Sequence, residues 1–247
     1  MNTALMVTRI EFKLYLRNFA GVFFVLAFPV LMLLFFGSTF GNAPMQIYGG
    51  HGTMDIDVPA FSGVVLAITG ILVVPWTVTR YRENKILKRY MATPIKPRDI
   101  LISQLIVNLT MAAVSITLLV ILGKAVFNVR FYGEILPMIL SLFIFALCVF
   151  SIGLLITSIS SGIKAANVIS LLIYFPMLFL SGVIMPINAM PEFMARLARM
   201  LPLTYGIDLL KGIWLGGKIS AYTADIFVLL LVFLVCSAGS MVLFRWE

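Results

Sequence analysis

The sequence predicts an all-α membrane protein with six transmembrane helices and both termini on the cytoplasmic side. Three observations carry that prediction. Of 247 residues, 62% are hydrophobic and only 11% charged, and the mean hydropathy is +1.09. An ordinary soluble domain carries about 25% charged residues to face water. Six apolar stretches are each long enough to cross a hydrocarbon core, which takes about 20 residues. The third observation is that lysine and arginine are divided unequally among the connections.

The first 18 residues set Arg9, Lys13 and Arg17 at i, i+4 and i+8 among Leu5, Ile10, Phe12, Leu14 and Leu16. That is the pattern of a basic helix lying at the inner leaflet. Basic residues recur through Arg17 and the next apolar run exceeds a signal core, so no cleavable signal is expected. The spans fall at 19–40, 59–79, 100–123, 134–158, 165–186 and 223–244. Pro29, Gly70, Pro75, Gly153 and Pro176 lie inside them, tolerable because neighbouring helices satisfy freed backbone groups. With the N-terminus inside, the inner side holds Arg9, Lys13, Arg17, the basic residues of 80–99, Lys164 and Arg245. The outer side holds Lys124, Arg130, Arg196, Arg199, Lys211 and Lys218, half as many. The positive-inside rule therefore gives an N-in, C-in topology, and the chain reads as one domain.

Composition also excludes functions. The net charge of +8 is accounted for by that rule, so no nucleic-acid partner is expected. Cys148 and Cys236 lie in apolar runs and His51 is the single histidine, which leaves no metal site and no disulfide framework. No span core contains Lys, Arg, Asp, Glu or His; Glu134 and Asp225 sit at span ends. Proton relays and ion-coupled carriers usually place ionisable groups there, and a hydrolytic serine needs a base beside it. No catalytic residue is assigned. No G-x-x-x-x-G-K-S/T phosphate loop appears either, so any energy source for transport must come from another chain docking at the inner face.

The connection 80–99 is where such a chain would dock. It gathers Arg80, Arg82, Lys85, Lys88, Arg89, Lys96 and Arg98 against Glu83 and Asp99. Wound as a helix, 82–91 puts Ile86, Leu87, Tyr90 and Met91 on one arc and Arg82, Lys85, Lys88 and Arg89 on the other. Thr93-Pro94 ends it, and Asp99 stands where it could cap the third span. The pattern alone fits a basic helix on anionic headgroups and a docking knob for a partner equally well.

The run from Glu83 to Leu101, read as Glu83-Asn84-Lys85-Ile86-Leu87-Lys88-Arg89-Tyr90-Met91-Ala92-Thr93-Pro94 and onward to Ile100-Leu101, resembles the signature of type-2 ATP-binding-cassette (ABC) permeases, E-R-E-x-G-T-L-E-R-L-L-A-T-P-L-x-x-x-x-I-L. Lys85-Ile86 replaces its Gly-Thr pair. A second stretch resembles the family's L-S-G-x-x-x-P…M-P…P-L-T-Y connection. It is carried by Leu180, Ser181, Gly182 and Pro186, then Met190-Pro191, then Pro202-Leu203-Thr204-Tyr205. The resemblance implies a coupling helix at 82–92 that packs on an ATPase subunit through Arg82, Glu83, Lys85, Leu87, Lys88, Arg89, Tyr90 and Met91. It further implies an interfacial elbow helix at 1–18 and short helices dipping into the outer leaflet within 187–217. There Phe193, Met194, Leu197, Met200 and Leu201 share one face, opposite Glu192, Arg196 and Arg199.

The function these readings imply is the membrane-spanning permease subunit of an ABC exporter in the cytoplasmic membrane. Two cytoplasmic ATPase subunits and a second permease, identical or related, are the expected partners, with ATP and Mg²⁺ bound on the ATPases and no cofactor on this chain. Uncharged spans suit an amphipathic or hydrophobic cargo, such as a drug, antibiotic or lipid-like compound. Spans one, two and five would line its route, with Phe175 and Phe179 as cargo contacts. An ion-coupled carrier or pore, and a non-transporting membrane scaffold or sensor, are the alternatives.

Overall fold

The computed structural model describes residues 3–45, 50–84 and 97–243. Nine helices organise them: α1 Thr3–Leu16, α2 Phe19–Phe40, α3 Thr53–Glu83, α4 Pro97–Phe127, α5 Ile135–Ile159, α6 Ile163–Leu180, α7 Glu192–Ala198, α8 Pro202–Trp214 and α9 Thr223–Leu243. Six of them, α2 to α6 and α9, are long and apolar enough to cross a membrane, and the described residues contain no strand.

Several boundaries differ from the hydropathy reading for physical reasons. Helix α3 begins at Thr53, ahead of the predicted 59, because the Asp55 carboxylate accepts from Gly52 N at 3.3 Å and closes its first turn. Helix α4 begins at Pro97, a residue suited to the first helical position because it has no N–H to leave unpaired. Asp99 therefore lies inside the first turn and is not the cap. Helix α6 stops at Leu180, where Gly182 turns with φ of +80°, a conformation that favours glycine. Both α3 and α4 contain 31 residues; at 1.5 Å each, about 46 Å, they outreach the hydrocarbon core of about 30 Å.

Helix α3 is the axis of the bundle and is buried nearly throughout, with Phe61, Ile68 and Ile71 among its enclosed side chains. By contrast α2, α4, α6 and α9 turn broad apolar faces outward, as at Phe35, Ile121, Leu172 and Val235. Such faces suit lipid.

Two prolines explain two irregular turns. Pro29 and Pro75 each follow a widened, π-helical turn, Phe23–Ala27 and Ile68–Val73. A proline ring clashes with the carbonyl four residues back and cannot bond it, and a wider turn relieves that clash. In α2 the carbonyl in question is Val25 O, and the Ser115 hydroxyl of α4 donates to it at 2.5 Å. A neighbouring helix thus replaces the lost bond, as hydrocarbon surroundings require.

The end of the bundle away from residue 83 is tied by short polar contacts. Asp55 accepts from Asn42 Nδ2 at 3.0 Å and from Arg130 N at 2.9 Å, and Trp214 Nε1 donates to Arg130 O at 3.0 Å. Helix α8 packs its apolar face (Leu203, Ile207, Leu210, Ile213) inward, with Gly206 seated on the Phe145 ring of α5. The α7 side chains Phe193, Met194 and Leu197 point away from the bundle and are exposed.

Candidate functional site

Between α2, α3 and α6 lies a groove of about 470 Å³. Phe24 and Phe28 of α2, Leu72 and Trp76 of α3, and Leu171 and Phe175 of α6 form its apolar wall. Ser170 and Tyr174 of α6 add hydroxyls that are buried and make no hydrogen bond. These helices correspond to spans one, two and five, the expected route. Phe175 is part of the wall; Phe179 is not, though it stacks on Phe175 with centroids 6.5 Å apart. Helical spacing explains the arrangement, since Ser170 and Tyr174 are four residues apart and share one face of α6.

At the end of α3 two residues of the expected coupling segment, the half-buried Arg82 and the exposed Glu83, are bonded to the permease itself. Arg82 Nη1 donates to Thr157 O at 3.2 Å, and its Nη2 donates to Ser160 O. Both carbonyls lie at the C-terminal end of α5, where unpaired carbonyls and the helix dipole attract a cation. The neighbouring Glu83 carboxylate accepts from Ile163 N at 3.1 Å, at the N-terminus of α6, where the dipole attracts an anion. Consecutive residues of one helix thus clamp the ends of two others across the short turn 160–162. The remaining coupling residues, Lys85, Leu87, Lys88, Arg89, Tyr90 and Met91, lie outside the described residues.

The second motif supplies corners. The Ser181 hydroxyl donates to Leu178 O at 2.9 Å, and Gly182 makes the left-handed turn. Pro186 precedes the short turn Ile187–Ala189, Pro191 precedes α7, and Pro202 opens α8. Thr204 Oγ1 donates to Ala198 O at 2.7 Å and Tyr205 Oη donates to Arg199 O. These bonds fold the start of α8 back onto the end of α7. Lys211 Nζ donates to Gly182 O at 2.8 Å and pins the corner to α8. Burial pushes the Lys211 ammonium down in pKa, opposed by Asp57 and Asp208.

Sequence reasoning missed a polar cluster beside the clamp. Helix α1 buries Val7, Glu11 and Tyr15, one stripe that includes a carboxyl, and leaves Arg9 and Lys13 exposed, as is Arg17 just past its end. The Tyr81 hydroxyl donates to Glu11 Oε2 at 2.9 Å, and the Thr8 hydroxyl donates to Ser103 at 3.0 Å. Burial raises the Glu11 pKa, with the Tyr81 and Gln104 side chains pulling the other way. The available signal was Gln104 and Asn108, amides at i and i+4 in an apolar span, which a search for ionisable groups alone passes over.

The comparisons with known proteins fit this architecture. The chain is 25% identical over 158 residues to a probable multidrug ABC transporter permease, YbhR, of Escherichia coli K12, covering 64% of this chain and 43% of the relative. A second, YbhS of the same strain, is 23% identical over 190 residues, covering 76% and 49%. ABC transporter G family member 20 of Dictyostelium discoideum is 27% identical over 191 residues, covering 76% and 26%. The chain therefore spans less than half the length of these curated relatives. Residues 3–215 match the family model described as ABC-2 type transporter. This multi-pass membrane protein belongs to the ABC-2 family of transporter permeases.

Proposed function

We infer that the chain is the membrane-spanning subunit of an ABC exporter that moves an amphipathic or hydrophobic compound out across the cytoplasmic membrane. The observation that carries the cargo reading is the groove between α2, α3 and α6, apolar along its walls yet holding two unpaired hydroxyls. A groove of that kind suits an apolar body with a few hydrogen-bonding groups. Relatives named as multidrug permeases support the same class. Both termini then face the cytoplasm, the exposed face of α1 rests on the inner leaflet as an elbow, and α7 and α8 dip into the outer leaflet.

The engine in this reading is a pair of cytoplasmic ATPase subunits that bind ATP and Mg²⁺, and a second permease, identical or related, completes the pathway. The ATPase's differential affinity for two permease states supplies the coupling free energy. Leu87, Tyr90 and Met91 form the apolar plug in the ATPase, with Lys85, Lys88 and Arg89 around it. Movement of that segment passes through Arg82 and Glu83 to α5 and α6, so it reaches the wall of the groove directly.

Affinity purification followed by mass spectrometry tests the assembly: an ABC ATPase should co-purify at a one-to-one ratio with total permease. Leu87→Asp should leave membrane insertion intact, reduce ATPase recovery at least tenfold and remove transport. Undiminished recovery and transport in that variant would refute the assigned plug.

A further inference from the structure

Buried polar atoms without partners are few in folded proteins, and each calls for an explanation. Among the described residues there are seven such side-chain atoms: Tyr15 Oη, Thr79 Oγ1, Gln104 Nε2, Gln104 Oε1, Asn108 Oδ1, Ser170 Oγ and Tyr174 Oη. All except Thr79 Oγ1 line one of two adjoining spaces. The first is the groove. The second is a small nest between α1, the end of α3 and the start of α4, with Trp76 in the wall of both. Asn18 borders the nest, and Ala20 and Gly21 border the groove, so the two spaces are neighbours at the start of α2.

We propose that nest and groove form one bipartite site for a single-tailed amphiphile ending in a hydroxyl or primary amine, with the head in the nest and the tail in the groove. This deepens the amphipathic-cargo reading and rests on it. Depth supports the assignment. Helix α1 exposes Arg9 and Lys13, with Arg17 just past its end, together with Ile10, Phe12, Leu14 and Leu16, which places it at a lipid–water boundary. The nest beneath α1 is then level with lipid headgroups, and the groove is level with acyl chains. An amphiphile already lying in that leaflet matches both without turning over.

Size and chemistry restrict the head. The nest has a free volume of about 30 Å³, room for about two or three non-hydrogen atoms. A trimethylammonium, phosphate or sugar is too large. The groups that face it from α1 are Glu11 and Tyr15; from α3, Thr77, Arg80 and Tyr81; from α4, Gln104 and Asn108. Glu11 Oε2 is occupied by Tyr81. The Arg80 guanidinium lies 5.6 Å above the Trp76 ring, itself a wall of the nest, and its side chain is exposed, so it stands at the rim of the nest. What stays unsatisfied is an amide that donates and accepts, a phenol that does both, and an amide oxygen. A hydroxyl answers all of them, and a primary ammonium donates to the two amide oxygens and the phenol oxygen.

The test is photolabelling of the purified full-length permease in lipid nanodiscs with an alkylamine carrying a diazirine beside its amine. Labelling should saturate, map to peptides containing Tyr15, Trp76 or Asn108, and be competed by dodecylamine and dodecanol. Dodecyltrimethylammonium should compete at least tenfold less well. Gln104→Leu and Asn108→Leu should each weaken labelling at least tenfold. Asn108→Leu removes a buried amide oxygen that has no partner and should not lower the melting temperature, which separates lost binding from lost folding. Labelling that fails to saturate, maps elsewhere, or persists unchanged in both variants would overturn the site and leave the nest to buried water. Labelling requires no ATP, so its failure with ATP-driven export intact would count against this site alone. Failed export with labelling intact would count against the exporter reading.

Discussion

Replacing Arg82 by alanine should reduce ATP-driven transport at least tenfold while the permease still inserts, still binds its ATPase and still supports ATP hydrolysis. The reason is positional. Helix α3 is continuous to Glu83, so the segment that follows it, 85–96, is connected to the bundle through a rigid rod. Arg82 is the side chain that joins the end of that rod to Thr157 and Ser160 of α5. Hydrogen bonds from a charged donor contribute about 1.5–3 kcal/mol, and the carbonyls left behind, though buried, lie at a helix end, where carbonyls lack an intrahelical partner in any case. The bundle should therefore stay folded. What disappears is the mechanical link, so hydrolysis continues without moving α5 and α6. Arg82→Lys should recover part of the transport, because one ammonium replaces a fork that reaches two carbonyls. Glu83→Gln should be mild, since an amide oxygen still accepts from Ile163 N. Comparing ATP hydrolysed with cargo moved in proteoliposomes checks this; an unchanged ratio in Arg82→Ala would refute the clamp as a transmission element.

Gly153→Val should give no folded, monodisperse permease, and Gly153→Ala should already be severely destabilised. A Cβ on Gly153 would fall 2.0 Å from Gly70 O, and one on Gly70 would fall 2.7 Å from the Val149 carbonyl carbon. Here α3 and α5 touch backbone to backbone, as membrane helices do where small residues face each other. The atoms in the way belong to helical backbone and cannot swing aside like the end of a side chain. Overpacking of this kind costs about 1–3 kcal/mol and sometimes more; with main chain on both sides the upper end applies. The contact also sits in the widened turn Ile68–Val73, so forcing the helices apart would disturb the groove wall at Leu72 and Trp76. Thermal unfolding followed by size-exclusion chromatography measures the effect. A Gly153→Ala protein melting within about 2 °C of the parent would show that the approach is not needed.

Much of this architecture is legible in the sequence because the bilayer imposes so severe a rule. Stretches of about 20 apolar residues have few alternatives, and six of them emerge as six helices. Exact ends are less legible. Asp55 extends α3 by a hydrogen bond to Gly52 N, and hydropathy has no access to such a bond. Arg82 illustrates a deeper limit. Its charge and spacing suit the polar arc of a separate amphipathic helix, and only the fold reveals that Thr157 and Ser160 stand beside it. Glu11 illustrates the same limit from the other side. The regular basic stripe of α1 draws attention to its exposed face, whereas the face that packs carries a carboxyl and a phenol. Gln104 and Asn108 were readable as a polar edge on the third span, but their meaning depends on α1 and α3 closing over them.

The central claim is that this chain carries no power of its own and is driven from its cytoplasmic end. The most direct measurement is uptake of a fluorescent amphiphile into proteoliposomes containing the permease alone and the permease with its ATPase, each with and without ATP. The account predicts accumulation against a gradient only when permease, ATPase and ATP are all present. Sustained uphill accumulation by the permease alone would contradict it.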